Sequence, residues 1–200
     1  MGRPREFKID EALEKATGLF WRHGYVGTSL SDLTRAIGIT PPSFYFAFGS
    51  KEGLFKKVIE RYFAEQSDKA EAACREPTAQ AVAARFLYGL ADVLTDPNHA
   101  PGCLAMNSAL PCTSGDRVRE WLADLREQVR TRLHERFSYA RDVGDLPVSA
   151  DPGTLARLIV VVAWGMAVEA QSGAGREDLH RTIDCALAMW PGASAGPESG

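Results

Sequence analysis

Residues 28–52 read TSLSDLTRAIGITPPSFYFAFGSKE, and this stretch decides the fold. Ser29, followed three residues later by Asp32, predicts a capping box at a helix start, with Asp in place of the usual Glu or Gln. Gly38 supplies the backbone freedom that a sharp turn needs, because it has no Cβ to clash. Two short helices joined by such a turn form a helix-turn-helix, the arrangement that places a helix in the major groove of DNA.

The second helix of this pair is the candidate DNA reader. Thr40 is positioned to cap it, and Pro41 falls at its first position, where a missing N–H costs nothing. The residues at its start, 40–43, are small, so the helix can approach base edges closely, and its N-terminal dipole favours a phosphate. Phe46 and Phe48 are expected to pack inward. The alternative is an ordinary helical hairpin in which all of these residues serve packing.

Residues 24–55 resemble the DNA-binding domain of TetR-family transcriptional regulators. Two departures from the family pattern concern the reading helix: Pro42 is followed by Ser43-Phe44, where many members carry a small residue and then Leu, and Ala47 stands at an often polar position. These departures affect which bases are read. The matching positions are Gly24, Thr28, Ser29, Leu33, Gly38, Tyr45, Phe48, Ser50, Lys51, Glu52 and Leu54.

Predicted DNA contacts fall into three groups. Tyr45 and Lys51 are expected to hold the phosphate backbone, so their loss should weaken binding to all sequences alike. The start of the reading helix should set the base preference. Arg3 and Arg5 lie in a short basic tail that can enter the minor groove, the alternative being a tail with no role. The full set is Arg3, Arg5, Thr28, Ser29, Thr40, Pro41, Pro42, Ser43, Phe44, Tyr45 and Lys51.

Helical periodicity continues along the rest of the chain without a convincing strand, which predicts an all-α fold. A supporting helix at 9–24 completes an N-terminal three-helix bundle with the helix-turn-helix at about 29–48. We predict a DNA-binding domain at 1–55, a ligand-binding and dimerisation domain at 56–190, and a disordered tail at 191–200 that is rich in Gly, Pro and Ser. The helices of the second domain are predicted at 50–75, 79–95, 103–110, 117–142, 154–171 and 177–190.

Charge is distributed unevenly along the chain. The whole sequence has a net charge of −3, but residues 1–61 contain ten Lys and Arg against seven Asp and Glu. The predicted DNA end is therefore the positive end, as binding to phosphates requires. The four cysteines show no paired metal-ligand spacing, and no metal or other cofactor is expected.

The N-terminus is charged and has no apolar run, so no signal peptide is expected. The longest strongly apolar stretch, Leu158–Val168, has eleven residues, about half of the roughly twenty that a membrane span needs. We therefore expect a cytoplasmic protein with no membrane partner and with reduced cysteines.

The segment Leu158–Val168 is apolar on every side, which predicts cover from two directions. One side can meet the core of its own chain, and the other then meets a second copy in a homodimer. The alternative is the central helix of a monomer. In the resembled family the last two long helices form a four-helix bundle between subunits, which implies the same. The predicted interface residues are Leu158, Val161, Val162, Gly165, Met166 and Leu187.

The resemblance also implies a small-molecule effector site inside the C-terminal helices and a palindromic double-stranded DNA operator. Ligand binding would change the spacing of the two DNA-binding domains and release the operator, so the protein is expected to be a repressor. The residues expected to line the site are Phe86, Leu90, Cys103, Met106, Asn107, Trp121, Leu125 and Trp164.

Three other functions stay open. Residues 101–107 resemble a Gly-Cys-apolar element of a family branch in which some members respond to electrophiles or oxidants. Cys103 at a helix N-terminus would have a lowered thiol pKa, although a buried inert cysteine is the alternative. A small enzyme could pair Cys103 with His99 or His134, but no oriented third group or phosphate loop accompanies them, so no enzyme is expected. A repressor without a ligand is the third possibility.

Overall fold

The computed structural model describes residues 8–109, 111–113 and 116–192 of the chain. Within these ranges the protein is built from α-helices and contains no strand, which confirms the all-α prediction. The helices are α1 (Ile9–Gly27), α2 (Leu30–Ile37), α3 (Pro41–Phe48), α4 (Lys51–Cys74), α5 (Ala79–Leu94), α6 (Leu104–Ala109), α7 (Arg117–Asp142), α8 (Pro152–Gln171) and α9 (Arg176–Ala188).

Helix α1 extends three residues beyond its predicted end at Gly24. Gly24 has a φ of 68° and interrupts the helix without ending it, and the chain stays helical to Gly27. The interruption lies against α6: a Cβ added at Gly24 would lie 2.6 Å from the carbonyl oxygen of Asn107. A glycine is therefore required here for two reasons, its positive φ and the close approach of a second backbone.

Two hydrophobic clusters form the interior, and they do not divide at residue 55. The first cluster contains residues of α1, α2, α3 and α4, together with Leu104 of α6 and with Val118 and Leu122 of α7. The second cluster joins α5, α7, α8 and α9 with Met106 of α6. The short helix α6 thus contributes to both clusters. The predicted domain boundary marks no break in packing, because the core of the N-terminal helices continues into the C-terminal part.

Between Leu158 and Val168, helix α8 is apolar around its whole circumference but is buried only on part of it. Ala156, Ile159, Ala163, Met166 and Ala167 lie in the second cluster, against the neighbouring helices. By length and composition α8 could cross a membrane, yet it packs against α5, α7 and α9 as a core helix of this fold. Its outer face keeps a line of exposed apolar or small side chains: Leu158, Val161, Gly165 and Val168.

We predict that Gly24→Ala lowers the free energy of unfolding by about 1–3 kcal/mol, because alanine at a positive φ is strained and its Cβ meets backbone. Urea denaturation followed by circular dichroism measures this. Gly18→Ala on the same helix is the control, since its Cβ meets only the flexible end of Arg22 at 3.5 Å and alanine favours a helix. Equal stability of the two variants would show that the contact with α6 carries no strain.

Candidate DNA-binding surface and ligand cavity

Capping and the glycine turn fix helix α2 in front of the reading helix. The backbone N–H of Asp32 donates to Ser29 Oγ at 3.1 Å, and the backbone N–H of Ser29 donates to Asp32 Oδ2 at 3.2 Å, so the predicted capping box is present. The hydrogen bonds from Ser29 hold the pKa of the Asp32 carboxyl below its ordinary value. Gly38 ends the helix in the left-handed conformation with φ 82°, as predicted.

The inner face of α3 fastens the reading helix to the core. Phe44 is fully buried and Phe48 nearly so. The expectation that Phe44 contacts DNA is therefore wrong, because no part of its ring reaches the surface. Thr28 is also buried, and its hydroxyl donates to the carbonyl of Gly24 at 2.7 Å. The Thr28 side chain holds the end of α1 and is not available to a phosphate.

The outer face of α3 is uncharged and partly aromatic. Thr40, Pro41, Pro42 and Ser43 are exposed, as their predicted role requires, and Tyr45 is half exposed. Phe46 is 95% exposed, so the expectation that it packs inward is wrong. The helical turn that buries Phe44 and Phe48 turns the intervening residues outward. The sequence contained a signal that Phe46 is exposed. It lies two residues from Phe44 and two from Phe48, and this spacing places it on the opposite side of the helix from both.

The N-terminus of α3 offers few amide donors. Proline occupies the first two helical positions, and both lack an N–H. Thr40 makes no capping bond to the backbone, and its hydroxyl lies 3.1 Å from Ser43 Oγ instead. Thr40 thus occupies the predicted N-cap position, but its side chain makes no capping bond, and the predicted preference of this helix end for a phosphate is weakened. The exposed surface at this end of α3 consists of the methylene groups of the two prolines and the hydroxyl groups of Thr40 and Ser43.

Lys51 follows the reading helix at the start of α4, where Ser50 accepts a hydrogen bond from the Gly53 N–H at 2.9 Å. Its ammonium lies 4.3 Å from the centre of the Tyr25 ring. Partial burial lowers the pKa of Lys51 from its ordinary value. A phosphate contact would require this ammonium, which lies over the Tyr25 ring, to reach the edge of the DNA. Arg3 and Arg5 lie outside the described residues.

A cavity of about 220 Å³ lies in the C-terminal helices. It is bounded by α4, α5, α7 and α8, with Cys103 and the start of α6 at one wall. Most of its surface is hydrophobic and aromatic, as is usual for small-molecule sites. Six of the eight residues predicted for a ligand site lie in its wall: Phe86, Leu90, Cys103, Met106, Leu125 and Trp164.

The other two predicted residues do not line the cavity. Trp121 packs in the first cluster, where its ring lies 6.3 Å from that of Phe55. Asn107 points toward α1 and donates from Nδ2 to the carbonyl of Trp21 at 3.2 Å. In the sequence both residues lie on apolar helix faces. In the structure those faces contact α4 and α1 and not the cavity. Wall residues that were missed include Tyr62, Phe63, Gln66, Gly89, Val129 and Val160.

The wall residues of α4 carried a signal in the sequence. Tyr62, Gln66 and Ala70 recur at intervals of four and so share one face of a long helix. Phe63 extends that face. The sequence analysis predicted α4 only as a long helix, and none of the residues expected to line the ligand site lies on it.

Helix α6 lies between the cavity and the DNA-binding helices. On one side Cys103 and Met106 face the cavity. On the other side the indole N–H of Trp21 donates to the carbonyl of Gly102 at 3.1 Å, and the Trp21 ring stacks on His99 at 3.9 Å. Cys103 Sγ also lies 3.5 Å from the Tyr62 hydroxyl of α4. A shift of α6 would therefore change the packing on both sides.

Among the described residues, no group of three His, Cys, Asp or Glu side chains could hold a metal ion.

Comparisons with known proteins agree with this arrangement. The family model described as bacterial regulatory proteins, tetR family, matches residues 12–58. The HTH-type transcriptional repressor ComR of Escherichia coli K12 is 34% identical over 195 residues, which cover 95% of this chain and 92% of ComR. The chain belongs to the TetR family.

Further relatives support the same assignment. The repressor BdcR of Escherichia coli K12 is 46% identical over 61 residues, about 30% of each chain. A solved structure of the TetR-family regulator CifR, a cysteine mutant in complex with a 26 bp double-strand operator DNA, superimposes with a TM-score of 0.88. That structure is 35% identical to this chain and covers 94% of it and all of the CifR chain. This TetR-family protein is a DNA-binding transcriptional regulator and not an enzyme.

We predict that Phe46→Ala weakens binding to a selected operator about tenfold, because an exposed aromatic ring can contact a thymine methyl in the major groove. Non-specific affinity should stay the same, since the ring makes no charge contact. Fluorescence anisotropy with operator and scrambled duplexes at one salt concentration measures both. Val148→Ala, which truncates an equally exposed side chain in the α7–α8 loop, is the control. Equal losses on both duplexes would remove Phe46 from base reading.

Proposed function

We propose that this protein is a homodimeric repressor that binds a palindromic operator and leaves it when a small molecule occupies the cavity. The observation that carries this proposal is the position of α6, which forms a wall of the cavity and is bonded through Trp21 and Asn107 to α1. A ligand that prefers a shifted α6 would also prefer a shifted set of DNA-binding helices. The DNA complex of the related CifR supports the operator.

DNA recognition is assigned to the uncharged outer face of α3. Pro42, Ser43 and Phe46 are proposed to read base edges, and Thr40 and Pro41 to allow the close approach. Ser29 and Tyr45 at the sides of this face, with Lys51 behind it, are proposed to contact phosphates. Within this proposal, residues up to about 55 read the DNA and residues 56–190 bind the effector and the second subunit.

A homodimer is proposed through α8 and α9. Val161 is 57% exposed and Leu158 is 38% exposed, and a Cβ at Gly165 would meet no atom within 4 Å. Such a line of apolar and small groups lets a second helix approach closely. Val162 and Leu187 are half-buried at the margin of this face. Met166 was wrongly included in the predicted interface, because it is buried in the protomer core and has no surface left for a partner.

Two-fold symmetry gives the proposed operator its form. Two α3 helices related by a dimer axis would enter successive major grooves, about 34–36 Å apart along the DNA. Any ligand that shifts this distance lowers operator affinity. Moving a population from 1:99 to 99:1 needs about 5.5 kcal/mol of preference for the released state. We place the protein in the cytoplasm, where its operator is.

Covalent sensing through Cys103 is the second candidate. Its thiol lies in the cavity wall, 3.5 Å from the Tyr62 hydroxyl, so an electrophile in the cavity could reach it. This mode uses the same cavity and the same link through α6, and it differs only in forming a bond to sulfur.

We predict that Gly89→Leu blocks effector action without affecting operator binding. Gly89 lies in the cavity wall and a Cβ there meets no atom within 4 Å, so a leucine side chain extends into the free volume. A thermal-shift screen of small organic molecules identifies ligands, and anisotropy then measures release of the operator. At least about a tenfold higher ligand concentration should be needed for release from the variant.

Two results of this assay separate the candidates. Release that is unchanged in Gly89→Leu would place the effector outside the cavity and contradict the proposal. Release that is blocked in Gly89→Leu but persists in Cys103→Ser supports a reversible ligand, whereas release that is lost in both variants supports covalent sensing.

We predict that Val161→Glu converts the dimer into a monomer at micromolar concentration, because the interface would bury an unpaired carboxylate. Light scattering measures the mass, and operator affinity should fall with the loss of the second half-site contact. Val148→Glu places the same charge on an exposed loop and should stay dimeric. A wild-type protein that is monomeric under these conditions would contradict the proposed assembly.

A further inference from the structure

The charged side chains that the structure describes in the cavity wall are all positive. They are Lys69, Arg85, Arg126 and Arg132, and no described Asp or Glu side chain lies among them. This excess stands out in a chain whose net charge is −3. The uncharged side chains of the wall that can form hydrogen bonds are those of Gln66, Gln128, Ser67, Cys103 and Tyr62. The cavity therefore combines an apolar interior with a cationic surround.

Three of the four cations have no carboxylate partner among the described residues. Arg85 is paired with Glu76, but no described carboxylate lies within ion-pair distance of Lys69, Arg126 or Arg132. Arg132 donates to Ser67 Oγ at 3.3 Å, which leaves most of its donors open. Within the part of the chain that the structure describes, the charge of these three cations is thus not neutralised by an ion pair.

Arg126 is the most enclosed of these three. Its guanidinium carbon lies 4.4 Å from the centre of the Trp164 ring, and the ring itself forms part of the cavity wall. Burial, with a smaller contribution from nearby Arg119, lowers the pKa of Arg126 from its ordinary value. An arginine nevertheless keeps its charge in a protein. It is therefore a partly desolvated cation held over an aromatic ring beside free volume.

Such a cation selects strongly among ligands of the same shape. A carboxylate beside the guanidinium forms charge-assisted hydrogen bonds, in the planar geometry that arginine favours. An alcohol of the same shape forms only neutral bonds, and an ammonium is repelled by all three unpaired cations. The apolar walls meanwhile require a hydrocarbon body.

We propose that the effector is an amphipathic organic anion, with its carboxylate on Arg126 and its hydrocarbon body against Phe86, Leu90 and Trp164. Arg132 and Lys69 contribute by their electrostatic field at the edge of the cavity. This inference rests on the proposed function, because it assigns a chemical class to the effector of that cavity. Binding would supply Arg126 with a counter-charge that no described residue provides.

The test uses matched ligands that differ only in the charged group. Three hydrocarbon bodies, octyl, 4-phenylbutyl and naphthylmethyl, are each offered as the acid, the alcohol and the primary amine to the full-length protein. Calorimetric titration at pH 7.5 measures Kd, and release of the operator is followed in parallel. In at least one series the acid should bind at least about tenfold more tightly than the alcohol, and the amine should bind most weakly.

Variants then assign the preference to Arg126. Arg126→Gln should reduce the advantage of the acid over the alcohol to about threefold or less, while the alcohol keeps its own Kd. Arg126→Lys keeps the charge and should retain part of the preference. Arg130→Gln is the matched control on the same helix, because Arg130 pairs with Glu127 and lies outside the cavity wall.

Failure of the inference and failure of the proposed function give different results. If alcohols or amines bind as tightly as acids in all three series and Gly89→Leu abolishes that binding, the effector site stands and the anionic class is wrong. An acid preference that survives Arg126→Gln also overturns the assignment. If no ligand in any series binds, or if binding is unchanged in Gly89→Leu, both the inference and the proposed effector site fall.

Discussion

The structure depends on the contact between α1 and α6. Across it, the indole N–H of Trp21 donates to the carbonyl of Gly102 just before α6, and Asn107 Nδ2 donates to the carbonyl of Trp21. The backbone of Asn107 also approaches Gly24 so closely that no side chain fits. Buried polar groups are costly to leave unpaired, so the two helices are held in one register. This contact makes the N-terminal helices part of one packed body with α6 and the start of α7. A rigid link of this kind can transmit a displacement.

The same contact also brings the cavity close to the N-terminal helices. Helix α6 has only six residues, and one of its sides contacts α1 while the other lines the cavity. Met106 belongs to the second hydrophobic cluster and to the cavity wall, whereas Leu104 belongs to the first cluster. A ligand that displaces one side of so short a helix must repack the other. Close-packed interiors change by discrete rearrangement, which suits a two-state regulator.

Charge has different roles at the two sites. The reading face of α3 is uncharged, so base preference is proposed to arise from shape and apolar contact, with Lys51 and other basic groups supplying affinity for phosphate. The cavity has the opposite character, with an apolar interior and cations such as Arg126 that have no ion-pair partner among the described residues. The first surface needs no charge because base edges are recognised by hydrogen bonds and apolar contacts. At the second, the proposed anionic ligand would neutralise the charge.

The sequence by itself determined the helices, the capping box at Ser29 and the glycine turn at Gly38, because caps and turns depend on neighbouring residues alone. Through the resemblance to the TetR family it also identified six of the cavity residues. Tertiary structure decided which helix each face meets. It turned Phe44 inward and Phe46 outward, directed Asn107 toward α1, and surrounded one cavity with arginines from separate turns of α7. These choices arise from contacts between residues far apart in sequence, and periodicity carries no information about such partners.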